Sequence, residues 1–185
     1  MPVVSITLLP GYAAETQHRM VNRLAQAVRS VIDTPEAGTT VFVNEVSTYR
    51  RDGKVFSEGR AAHPVASDLV RDYLQALQSG DLAFAQSFLS PDFRMCFPGA
   101  VVMHTLQELT AWAAQRYSRI GKHYEQFEES WQGDATVVFC HGTLQGTWLH
   151  GEAFEGIRFI DRMEVRGGLI YRQDVWNDLA EHRKA

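Results

Sequence analysis

Cysteine is nearly absent: Cys96 and Cys140 are the two in 185 residues. Their spacing matches no metal-ligand motif and builds no disulfide framework. Long apolar runs are missing as well, since no stretch approaches the roughly 18 consecutive apolar residues of a membrane-spanning helix. The N-terminus has no basic region followed by an apolar run, so no secretory signal is read and a cytoplasmic location is expected. Basic charge is not in excess: 18 Lys and Arg stand against 22 Asp and Glu, a formal net charge of −4. That balance has no electrostatic footprint for nucleic acid or an anionic membrane, so neither is expected as a partner. There is no internal repeat and no low-complexity tract.

What is present fits a globular protein. Hydrophobic residues make up 45% and charged residues 22%, the usual proportions of a chain that buries a core. The length suits one or two domains. Residues 1–62 carry a net charge of +1 and residues 63–185 a net −5, a modest asymmetry consistent with two modules.

The chain opens "MPVVSITLLPGY". Residues 3–9 predict a strand with Val4, Ile6 and Leu8 on one face. Residues 14–32 predict an amphipathic helix on the stripe Val21, Leu24, Val28 and Val31, with Met20 and Ile32 alongside. Pro35 stops it. "TTVFVNEVSTY" at 39–49 is rich in β-branched residues and predicts a second strand. Asp52-Gly53 marks a hairpin turn. A strand–helix–strand crossover makes its two strands parallel and right-handed. So small a unit cannot bury a helix face and both sheet faces alone, so a homo-oligomer is expected.

This pattern resembles the 4-oxalocrotonate tautomerase family over about residues 2–60: a proline after Met1, a short strand, a turn, a long helix, "D-x-P" and a second strand. The resemblance implies that Pro2, freed by removal of Met1, is an acid/base. A secondary amine in an apolar, cation-lined site loses affinity for its proton, which moves its pKa toward the operating pH. Where that family places substrate-holding arginines, this sequence has Tyr12 and Thr40. Arg50 and Arg51 are the candidate replacements for binding substrate. The alternative for Pro2 is an ordinary strand start, where no ladder donor is needed.

"SEGRAAHP" at 57–64 reads as a linker. It places a first module at residues 1–60, the joint at 61–64 and a second module at 65–185. Residues 65–79 predict a helix on the stripe Val65, Leu69, Tyr73 and Leu77. "SGD" ends it, and Asp81 caps a further helix over 82–89. A strand at 93–97, a helix at 105–117 and strands at 123–132, 135–147, 154–166 and 168–178 follow. Helices followed by a run of antiparallel strands give an α+β layout.

The stretches "VRDYLQALQSGDLAFAQSFLSPDF" and "FIDRMEVRGGLIYRQDVWND" carry a second resemblance, over about residues 65–179. They resemble the nuclear-transport-factor-2-like, or SnoaL-like, superfamily, which includes ketosteroid isomerases and polyketide cyclases. The resemblance implies a cone in which a curved sheet wraps helices around a pocket. Alternation puts Phe159, Asp161, Met163 and Val165 on one face, so Asp161 is a carboxyl among apolar neighbours. Burial without a cation favours its protonated, hydrogen-bond-donating form, a role known in ketosteroid isomerase. Tyr73 on the first helix is the expected second donor of an oxyanion-binding pair. Phe97 replaces that isomerase's catalytic base and becomes a substrate contact. Arg172, Asp174 and Trp176 share a face that the resemblance turns into the pocket, with Asp174 a relocated base kept ionised by Arg172. His104 and His141 are further candidates. Each of these residues also has a plainer reading: a packed tyrosine, a structural Asp–Arg pair, a helix-capping or surface histidine.

Both relatives move protons beside carbonyls without a cofactor. The expected function is therefore a cofactor-independent isomerase or tautomerase acting on a small carbonyl compound, with no metal. The catalytic candidates are Pro2, Tyr73, Asp161 and Asp174. The alternative is a non-catalytic ligand-binding protein whose first module serves oligomerisation, as a dimer or a hexamer.

Overall fold

Alternation in "VVSITL" produces β1 (Val3–Leu8), in which Val4, Ile6 and Leu8 are half-buried and Val3, Ser5 and Thr7 are exposed. The computed structural model describes residues 1–56 and 62–182. The chain divides into two compact units, Met1–Ala62 and His63–Ala185. Most of the linker-like segment, residues 57–61, lies outside the described residues.

In the first unit β1 pairs in parallel with β2 (Thr40–Glu45). α1 (Ala14–Arg29) and a single 3-10 turn at Glu36–Gly38 make the crossover. The Thr40 amide donates to the Pro2 carbonyl and the Val46 amide to the Leu8 carbonyl, which brackets the ladder at both ends. The strand expected over 39–49 stops at Glu45, because β1 ends at Leu8 and offers no further partner. β3 (Tyr49–Arg51) and β4 (Lys54–Phe56) then form a separate hairpin. Its turn residues Asp52 and Gly53 both take left-handed φ, 51° and 76°, as the Asp-Gly signal predicts. α1 ends earlier than the stripe suggests. The Val31 and Ile32 amides tighten onto the Val28 carbonyl, and their side chains are exposed rather than part of the apolar face.

The second unit begins with α2 (Ala66–Ser79), which buries Leu69, Val70, Tyr73, Leu74 and Ala76 and ends at the left-handed Gly80. Asp81 accepts a hydrogen bond from the Phe84 amide and opens α3 (Leu82–Ser87). A six-stranded sheet follows in the order β6-β5-β10-β9-β8-β7. Its strands are β5 (Leu89–Phe97), β6 (Val101–Met103), β7 (Tyr117–Gln132), β8 (Ala135–Trp148), β9 (Ala153–Arg166) and β10 (Leu169–Asn177). Among the described residues of this sheet only the β5–β10 pair is parallel. The curved sheet packs on α2 and α4 around a core that includes Val70, Tyr73, Met95, Val138, Cys140, Met163 and Ile170.

Two element limits differ from the sequence reading in ways that shape the site. β5 starts at Leu89 and contains Pro91. The β5–β10 ladder is irregular between Leu89 and Arg94, so Pro91 owes it no donor there. α4 (Leu106–Ala114) is shorter than 105–117 and is fixed at its start by a capping box between Thr105 and Glu108. β7 begins at Tyr117, whose ring packs against Trp148 and Phe154. A short terminal helix, α5 (Leu179–His182), closes the described chain. Among the described residues no helix is long and apolar enough to cross a membrane.

Candidate functional site

Residues on β7 alternate in facing the interior. Ile120, Lys122 and Tyr124 sit opposite Gly146, Leu144 and Gly142 of β8. A register shift after Tyr124 then turns Phe127 inward, opposite the buried Cys140. On β9 the inward residues are Phe159, Asp161, Met163 and Val165, all buried. This is the face that alternation predicts. Between these strands, α2 and α4 lies a cavity of about 420 Å³, a volume suited to a small organic ligand. Its wall is mostly apolar, with Leu74, Phe97, Leu109 and Trp112 prominent, and Lys122, Tyr124 and Gln173 bring polar groups to it. Phe97 and Trp112 meet edge to face, their ring centroids 5.1 Å apart.

Behind this wall runs a polar chain. Lys122 Nζ lies 2.5 Å from Asp161 Oδ2 and 4.4 Å from the Phe159 ring centroid. Gln173 Nε2 donates to the same carboxylate oxygen at 3.4 Å. Gln173 Oε1 in turn accepts from the Tyr73 hydroxyl at 3.1 Å. Tyr73 and Asp161 are fully buried, at 0% exposure. Burial pushes the Tyr73 and Tyr124 phenols well up, and the Asp161 charge adds to both. The Cys140 thiol is pushed up to about 12, by burial first and Asp161 second. These three groups therefore keep their protons near neutral pH.

The structure changes two expectations. Asp161 does have a cation beside it, so the premise for a neutral, donating carboxyl fails: the sequence reading missed Lys122. Tyr73 and Asp161 belong to one network, yet neither lines the cavity. Gln173 joins them, and Lys122 and Gln173 are the network members that reach the wall.

Arg172, Asp174 and Trp176 lie on the face of β10 opposite the cavity. The β10–β9 register shifts between Ile170 and Arg172, and this reverses the alternation. Ile170 points inward, and after the shift it is Gln173 and Val175, opposite Met163 and Asp161, that do so. Asp174 is held on the outer face by Arg172 Nε at 2.7 Å and Arg162 Nη1 at 3.4 Å. Arg162 also pairs with Glu164, which accepts from the Tyr171 hydroxyl. Trp176 is 51% exposed.

The other candidates are dispersed. His104 is exposed and contributes its backbone amide, at 2.6 Å, to the Glu108 carboxylate of the α4 cap. That hydrogen bond and a second from the Thr105 amide hold the Glu108 carboxyl below the usual range. His141 faces Glu125 at 3.8 Å, off the cavity. Pro2 sits at the head of β1 in the first unit. Arg50 and Arg51 are exposed on the β3–β4 hairpin, with Arg51 against its neighbour Asp52 at 3.5 Å. Among the described residues no cluster of His, Cys, Asp and Glu is arranged to hold a metal ion.

Residues 70–173, from α2 to the cavity-facing Gln173, match the SnoaL-like domain family. The chain belongs to that family. Solved structures agree with the SnoaL-like fold. An NTF2-like protein from Burkholderia thailandensis is 18% identical over 66% of this chain and 99% of its own, with a TM-score of 0.56. One of unknown function from Burkholderia pseudomallei is 22% identical over 62% of this chain and 92% of its own, at 0.53. A candidate polyketide cyclase from Pseudomonas putida is 16% identical over 64% and 96%, at 0.52. At such identities the likeness is one of fold. No curated protein matches the chain.

Proposed function

We propose that the SnoaL-like unit is a cofactor-independent isomerase- or cyclase-type enzyme for a small carbonyl compound held in the cavity. The observation that carries this reading is Lys122, an ammonium set in a largely apolar wall and anchored by a fully buried carboxylate. A cation fixed before the reaction stabilises charge that develops on a carbonyl oxygen, because nothing need reorganise when the charge appears. Asp161 is a positioning residue: it holds Nζ and accepts from Gln173, which Tyr73 fixes from the other side. No carboxylate or imidazole is among the described residues of the cavity wall. The reading therefore favours substrates whose α-proton is acidic enough to pass to solvent water, such as one lying between two carbonyls, while Lys122 stabilises the enolate oxygen left behind. Polyketide chains carry such groups, and the Pseudomonas putida relative is a candidate cyclase of that kind.

The same lack of a wall base favours a second reading, ligand binding without turnover. One assay separates the two. Purified protein is incubated with a β-dicarbonyl compound or a cyclic enone, and isomerisation or ring closure is followed by absorbance. Turnover above buffer is expected, with kcat/KM falling about a hundredfold in Lys122→Met. Tight binding without turnover selects the second reading, and neither binding nor turnover overturns both.

For the first unit the proposal is a tautomerase-like scaffold that assembles with further copies as a dimer or a hexamer. Its support is the parallel βαβ pattern and the exposure of Val3 and Phe42, 63% and 54%, on one sheet face. A catalytic Pro2 requires removal of Met1, since an intact Met1 leaves Pro2 as an amide nitrogen with no basic lone pair.

A further inference from the structure

A second hollow, a groove of about 530 Å³, adjoins the cavity. The two share Gln78, Lys122 and Tyr124 as lining residues. Their chemistry differs. The cavity wall is mainly apolar, with Arg119 and Lys122 its basic residues, whereas the smaller lining of the groove gathers Arg71 from α2 and Lys122 and His123 from β7, with no carboxylate among the described residues that line it. Arg71 is steadied from two sides: Nη1 donates to Asp68 at 2.8 Å, and the guanidinium lies 4.5 Å from the Phe127 ring centroid. A guanidinium has five N–H donors in a fixed fork, so the Asp68 contact leaves others for a ligand. Burying an anion in the apolar cavity carries a heavy desolvation cost; the open basic groove does not impose it.

We infer that cavity and groove form one site, built for a carbonyl compound that also carries a carboxylate. The inference rests on the proposed reading of the cavity as a carbonyl site. A ring body packs against the Trp112–Phe97 pair, the carbonyl oxygen meets Lys122, and the carboxylate extends past Tyr124 to the Arg71 fork. Fork-to-carboxylate recognition is bidentate and charge-assisted.

Calorimetric titration with acetylnaphthalene and with acetylnaphthoic acid, a matched neutral and anionic pair, tests this. Wild type is expected to bind the acid about ten- to a hundredfold more tightly, the range of one hydrogen bond to a charged group. Arg71→Gln is expected to remove that preference while leaving affinity for the neutral ketone unchanged. Arg71→Lys, which keeps the charge but not the fork, retains only part of it. Equal binding of the two probes by wild type overturns the inference and leaves the carbonyl site standing. So does an undiminished preference in Arg71→Gln. Binding of neither probe overturns both.

Discussion

Replacing Lys122 by methionine is expected to destabilise the SnoaL-like unit by about 3 kcal/mol, the low end for removing one partner of a buried ion pair. The low end applies because the Lys122 side chain keeps 19% of its exposure while Asp161 keeps none. Methionine preserves most of the stem's volume, so the loss reports charge rather than packing. Asp161 Oδ1 already has no hydrogen-bond partner among the described residues. Without Lys122 the carboxylate would depend on the long Gln173 contact alone. The double variant Lys122→Met/Asp161→Asn removes both charges and is expected to recover most of the loss. Urea unfolding of wild type, both single variants and the double variant measures the coupling directly. If the double variant loses the sum of the two singles, the pair is not coupled and the account of the wall is wrong.

The second large effect comes from a glycine. At Gly142 on β8 a Cβ would overlap the His123 carbonyl oxygen of β7 and press on the Glu125 amide. Both obstacles are backbone, so no side chain can swing aside. Gly142→Ala is expected to cost about 3 kcal/mol, the upper range for overpacking. It should also weaken ligand binding, because the displaced stretch of β7 carries Lys122, His123 and Tyr124. Gly133→Ala is the contrast. That glycine takes φ +63°, with nothing within 4 Å of its Cβ position, so only the left-handed backbone is penalised, by about 1 kcal/mol. Thermal and urea unfolding of the two variants compare them. Equal, mild losses would mean that β7 can yield at Gly142.

Local signals made much of this fold legible. Asp52-Gly53 marked its hairpin, the Leu69–Tyr73–Leu77 stripe marked α2, and strict alternation on β9 placed Asp161 inside. The site was harder to read because it depends on pairing. The shift after Ile170 leaves no mark in "LIYRQDVWN", yet it exchanges Arg172 and Asp174 for Gln173 on the inner face. A one-residue slip always has this consequence for a strand. Lys122 was hidden in another way. A helix over 105–117 and a strand from 123 leave it in a connection, where a lysine is ordinarily solvated. Its inward aim follows only from its pairing opposite Leu144. Tyr73 and Asp161 could be read as neighbours, but not the glutamine that separates them.

In the proposed site Lys122 Nζ meets a carbonyl oxygen inside the cavity. The most direct measurement is a crystal structure of the protein with acetylnaphthalene bound. The account predicts the ring system against Trp112 and Phe97, the carbonyl oxygen within hydrogen-bonding distance of Lys122 Nζ, and the Lys122–Asp161 pair intact. A ring system bound elsewhere, or a carbonyl turned away from Lys122, would contradict it.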